Sequence, residues 1–107
     1  MATTSRGRTA TAPEDELRRM VGPDPVRYGA ERGRLAAESI PVWAIVGYIA
    51  AISGATAPSQ ITESVVAQVA ADYDISETAV LAALLYYAEH RGAIDAFLEA
   101  NAAASRP

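Results

Sequence analysis

A chain of 107 residues is one domain with tails, near the lower end of what buries an adequate core alone, so self-association is expected. It contains no cysteine, which excludes disulfides, thiolate metal sites and cysteine nucleophiles and fits a reducing compartment. The formal net charge of −4 hides an asymmetry: residues 1–34 hold seven of the nine arginines and a balance of +2, the remainder carries −6, and lysine is absent.

A basic arm on an acidic body suits nucleic acid or an acidic protein partner, although an arginine- and alanine-rich chain with a solvated tail gives the same pattern. Residues 1–11 are small, polar and without periodicity, so a disordered arm is expected. No apolar core follows their charges as in a secretion signal, which points to a cytoplasmic protein. Thr11 to Glu14 fits a helix start with Pro13 in the first turn. The short helix from Glu14 to Val21 has only Leu17, Met20 and Val21 as apolar residues and needs a docking surface. Gly22-Pro23-Asp24-Pro25 reads as a turn or linker. It divides a flexible arm with a short helix, residues 1–25, from a helical domain, residues 26–107. Arg34-Leu35 and Ser39-Ile40 read as two short extended pieces of a hairpin around Ala36 to Glu38.

Ser39 or Ile40 then caps a helix with Pro41 in its first turn. No charged residue occurs between Glu38 and Glu63. The apolar heart of that stretch, Val42 to Ile52, is too short to cross a bilayer, so a buried helix is expected. Val42, Ile45, Val46, Ile49 and Ile52 form one face on a 3.6-residue period. Trp43, Gly47, Ala50 and Ala51 form much of another, where small residues admit a second helix, and a partner subunit is the expected occupant. Ser53-Gly54 ends the helix, and Ala55 to Ile61 is a loop.

Thr62 is suited to cap a helix over about Glu63 to Asp72, with Val65, Val66, Val69 and Tyr73 as its core stripe. After a polar joint at Asp74 to Ser76, Ser76 caps a longer helix, Glu77 to His90. Val80, Leu81, Leu84, Tyr87 and Ala88 make its inner face, with Leu85 on the margin. Ala79, Ala82, Ala83, Tyr86 and His90 are assigned to the opposite face. The expected subunit interface is therefore Trp43, Gly47, Ala51, Ala79, Ala83 and Tyr86. Gly92 breaks or bends the chain before a last helix, Ala93 to Ala104, with Ile94, Phe97, Leu98 and Asn101 on one side. The fold class is all-α: a small helix-turn-helix bundle with a short N-terminal hairpin and a disordered arm.

Little in this pattern carries catalysis. The single histidine, His90, sits near a helix C-terminus, where its charge suits the helix dipole. Glu89 and His90 point differently, so they do not start a metal site. Asp72-Tyr73-Asp74 places carboxylates together, as a tight joint requires anyway. No nucleophile elbow, phosphate-cradling glycine loop or zinc spacing occurs, so no enzyme, cofactor or metal is expected. A DNA-reading helix places arginine, lysine, asparagine or glutamine near its start, where this chain has Glu77-Thr78-Ala79-Val80. Arg6 and Arg8 are the better candidates for nucleic-acid contact.

At Ile40-Pro41-Val42-Trp43, again at Asp72-Tyr73-Asp74-Ile75-Ser76, and then at Val80, Ala83, Leu84, Tyr86, Tyr87 and Ala88-Glu89-His90, the chain resembles the bacterial family called domain of unknown function 433. Ile94-Asp95 and Ala100-Asn101 continue the likeness, which spans about Leu35 to Ala103. It implies a homeodomain-like trihelical domain, commonly dimeric, among proteins often described as VapB-type antitoxins and paired with a PIN-like ribonuclease toxin. Where the family usually reads Gly-Thr-Arg, this chain has Ala37-Glu38-Ser39, so no role of that arginine transfers. The loop from Ala55 to Ile61 also looks longer than usual in the family.

The leading expectation is an antitoxin-like protein whose helical domain dimerises and whose N-terminal third engages a toxin. Arginine pairs bidentately with the carboxylates of a metal-dependent nuclease site, so Arg27, Arg32 and Arg34, then Arg18 and Arg19, are the expected toxin contacts. The alternatives are a DNA-binding autoregulator acting on operator DNA through Arg6 and Arg8, or an oligomeric scaffold.

Overall fold

The chain folds around one helix, and the others are arranged by how they cover it. The computed structural model describes residues 14–54 and 61–104. The expected disordered arm and the Ala55–Gln60 part of the expected loop lie outside the described residues. Residues 14–20 are helical (α1) and lead directly into β1, Val21–Gly22. A short 3₁₀ turn at Ala30–Arg32 precedes β2, Arg34–Leu35, and β3 follows at Ile40–Pro41. Four helices complete the chain: α2 Val42–Ser53, α3 Glu63–Tyr73, α4 Glu77–Glu89 and α5 Arg91–Ala104.

The three strands form one antiparallel sheet in the order β1-β2-β3, with Val21 opposite Leu35 and Leu35 opposite Ile40. The all-helical expectation is thereby corrected to a mostly helical fold with a small sheet. The hairpin of β2 and β3 is where the sequence put it, displaced by one residue at β3. Its turn is closed by the Ser39 amide donating to the Leu35 carbonyl at 2.7 Å, with Ser39 in the left-handed region at φ 60°. β1 was read as the end of a helix followed by a turn. Its pairing, together with the Ala36 amide donating to the Met20 carbonyl at 2.9 Å, ties residues 20–22 into the sheet. Leu17, Met20 and Val21 pack partly buried against the core, supplying the docking surface that so short a helix needs.

Local chemistry sets the helix ends. Gly54 closes α2 in the left-handed conformation at φ 71°, donating to the Ala50 carbonyl at 2.8 Å. The Thr62 hydroxyl accepts from the Val65 amide at 3.3 Å, and the Ser76 hydroxyl from the Ala79 amide at 3.0 Å. Between α3 and α4, Asp74 turns the chain at φ 57°, a conformation that a short polar side chain tolerates. The Ile75 amide returns to the Ala70 carbonyl at 2.9 Å, so the joint is tight. Gly92 does not break the chain as expected. The break falls at His90, and Gly92 lies inside the first turn of α5.

α2, α3 and α5 pack on α4, as do β1 and β2. Val42, Ile45, Val46 and Ile49 of α2 are buried on the face the spacing predicts, whereas Ile52, assigned to the same face, is 37% exposed at the helix end. α4 is rotated from its expected orientation. Ala79, Ala82 and Ala83 are fully buried with Val80 and Tyr87, whereas Leu81 is 46% exposed and Ala88 is also on the surface. Alanines on the inner side let helix axes approach closely, and the bulkier Leu81 has no room there. α5 covers the second face of α2: Trp43 meets Phe97 with ring centroids 5.2 Å apart, and a Cβ on Gly47 would lie 3.6 Å from the Leu98 side chain. The close approach expected at Gly47 is made by the chain's own last helix. Among the described residues no helix is long and apolar enough to cross a membrane.

Candidate protein-binding surface

The described arginines of the N-terminal third fall into two groups according to what already holds them. Arg18 is engaged. Its Nε and Nη2 both donate to Glu89 Oε2, at 2.9 and 2.8 Å, and Glu14 and Asp15 lie 3.7 and 3.4 Å from the same guanidinium. The Glu89 hydrogen bond and charge push the Arg18 pKa above its ordinary value. This pair clasps α1 to the last turn of α4, and with Val21, Tyr86 and His90 it lines a cavity of about 220 Å³. Arg32 is also engaged, stacked 4.6 Å over the Phe97 ring and 3.9 Å from Glu31. Arg19 and Arg27 are exposed and Arg34 is half-buried, and among the described residues none of the three makes a salt bridge.

Arg27 sits at the tip of an ordered loop. Asp24 Oδ1 accepts from the amides of Val26 and Arg27, both at 2.8 Å, and so folds the Pro23–Tyr28 segment over its own carboxylate. Those two amides hold the Asp24 pKa below the usual carboxylate range, aided by the charges of Arg34 and Arg27. The far end of the loop is fixed by Tyr86, whose hydroxyl donates to the Ala30 carbonyl at 2.6 Å, and by the Arg32 amide donating to Gly29 at 3.0 Å. Burial, and then the Glu31 charge, raise the Tyr86 pKa. Val26 is 77% exposed and Tyr28 89% exposed, so the pinned loop presents an apolar side chain, a cation and an aromatic ring to solvent.

Sequence reasoning named Arg27 but missed Val26 and Tyr28. The available signal was two apolar residues with no periodic partners, set between Asp24-Pro25 and Gly29. The expected subunit surface is not assembled on one outer face. Ala79 and Ala83 are fully buried in the chain's own core, Trp43 and Gly47 face α5, and Tyr86 supports the loop and lies 4.1 Å from the His90 ring. Only Ala51 is exposed. Arg6 and Arg8 lie outside the described residues. Asp72 accepts a hydrogen bond from Tyr48, raising the Tyr48 pKa, so one carboxylate of the Asp72–Asp74 pair serves the α2–α3 contact. Among the described residues no three histidine, aspartate or glutamate side chains are placed to hold a metal ion. Comparison with family models, with curated proteins and with solved structures found no match for this chain.

Proposed function

We propose that this chain is an antitoxin-like binding protein: a homeodomain-like helical domain, with a small sheet added, whose N-terminal third engages an acidic protein partner in the cytoplasm, a PIN-like ribonuclease toxin. The observation that carries the reading is the distribution of free positive charge. Arg19, Arg27 and Arg34 make no salt bridge among the described residues and precede an acidic body; Arg27 and Arg34 act on Asp24 through charge alone, so these guanidinium groups keep hydrogen-bonding capacity for a partner's carboxylates. The resemblance at Asp72 to His90 supports the same reading. Arg18 and Arg32 are read as structural within this scheme, because each already has partners in its own chain.

Two observations weigh against reading DNA with α4. The helix is central to the core, and its exposed start carries Glu77, whose carboxylate repels phosphate. The reading is tested by co-expressing the chain with a PIN-like ribonuclease toxin and scoring growth. The wild-type chain restores growth and the Arg19→Glu, Arg27→Glu, Arg34→Glu variant does not. A charge-reversed chain that restores growth fully overturns the reading.

A further inference from the structure

A second surface lies at the other end of α4, and its chemistry is the complement of the loop. The N-terminal turns of α3 and α4 leave an open groove of about 600 Å³ between them. Ile61, Val66, Ala67 and Leu81 are its apolar lining, and Glu63 and Glu77 line it as well, with no basic residue among the described lining side chains. Leu81 is 46% exposed there, although it is a large apolar residue on the most buried helix of the fold. One N-terminal amide of each helix is served by its cap, Val65 by Thr62 and Ala79 by Ser76.

We propose that this groove receives the Val26–Arg27–Tyr28 loop of a second copy of the chain. The fit rests on complementary groups at both ends. Val26 and Tyr28 supply apolar surface to a lining that is partly bare, and Arg27 between them meets Glu63 and Glu77. The loop is held in shape by Asp24 and Tyr86, so little ordering opposes docking. A copy does not fill its own groove: Tyr28 is 89% exposed, and the loop is anchored at Tyr86, about 13 Å along α4 from Glu77. The contact is loop into groove, and it either closes as a two-fold reciprocal pair, which is isologous, or continues head to tail as a chain of copies. Arg27 serves both this contact and the toxin contact proposed above, so the two compete for the loop, and the self-association test is run on the chain alone.

Sedimentation equilibrium of the full chain tests it with two surface variants. Val26→Ser with Tyr28→Ser disables the loop, and Glu77→Arg with Leu81→Ser disables the groove. The wild-type chain associates, each variant alone associates about tenfold more weakly or less, and an equimolar mixture of the two recovers a complex, because one intact loop faces one intact groove. Arg27→Glu is the second loop variant and removes nothing from the core; combining it with Glu63→Arg and Glu77→Arg restores association. A wild-type chain that stays monomeric at millimolar concentration overturns the proposal. So does association undiminished in the variants, or a mixture that stays monomeric.

Discussion

The phenol end of Tyr86 packs against Gly33: a Cβ built on Gly33 would stand 2.6 Å from Tyr86 Cε2, well inside contact distance. Gly33 is buried although its residue type carries no apolar side chain, because it is the floor on which the ring rests. The same ring reaches over to the Ala30 carbonyl, so one side chain of α4 fixes the segment that presents the arginine loop. Gly33→Ala is expected to displace the ring and destabilise the fold by about 1–3 kcal/mol. Thermal melts check this, with a double-mutant cycle against Tyr86→Ala. The two losses are expected to be strongly non-additive, since removing the ring removes the clash.

Tyr86→Phe keeps the ring and deletes the hydroxyl that donates to Ala30. A loss of about 1 kcal/mol in stability is expected, together with faster hydrogen exchange in residues 29–33. Exchange unchanged in that segment would show that the loop is held by something else.

Asp24 is a pH-sensitive anchor with a defined sign. Its pKa is lowered in the folded chain, so the anchoring is present above the unfolded-state pKa of an aspartate and is lost as pH falls through the lower, folded value. On acidification, the Val26 and Arg27 amides are expected to lose their hydrogen-bonded chemical shifts together. Asp24→Ala is expected to reproduce that state at neutral pH with the melting temperature almost unchanged, because the group is on the surface.

The Arg18–Glu89 clasp holds α1 without supporting the rest of the core. Glu89→Gln is expected to increase amide exchange in residues 14–20 while leaving α2 and α4 protected. Added salt is expected to act in the same direction, because the pair is exposed.

Ser39→Gly is expected to stabilise the chain by about 1 kcal/mol, since Ser39 holds φ 60° in the β2–β3 turn and glycine occupies that region without strain. Chemical denaturation measures the gain directly.

Three helix ends were legible because each depends on one local group: Thr62, Ser76 and Gly54 act where the sequence places them, whereas α2 starts at Pro41 with no side-chain cap rather than at Ser39 or Ile40. The buried face of α2 was legible because valines and isoleucines mark it by size. α4 was not, since alanines lie all round it and only the packing of α2, α3 and α5 decides which side they serve. β1 was missed because two residues ending in Gly22 carry no periodicity, and their strand character comes from pairing with β2. At the surface, the sequence named Arg27 and Arg34 as available cations, but it held no sign that Glu89 engages Arg18 across 71 positions or that Phe97 takes Arg32. Gly47, read with Ala51 as a small-residue site, did announce a close helix, and only the tertiary fold shows that the helix at Gly47 belongs to the same chain.

The most direct measurement is calorimetric titration of the chain into a catalytically inactive PIN-like ribonuclease toxin, at two salt concentrations. The account predicts binding that weakens as salt rises, a loss of about a hundredfold or more in the Arg19→Glu, Arg27→Glu, Arg34→Glu variant, and little change in Arg18→Gln. Absence of binding by the wild-type chain, or equal affinity in the charge-reversed variant, would contradict it.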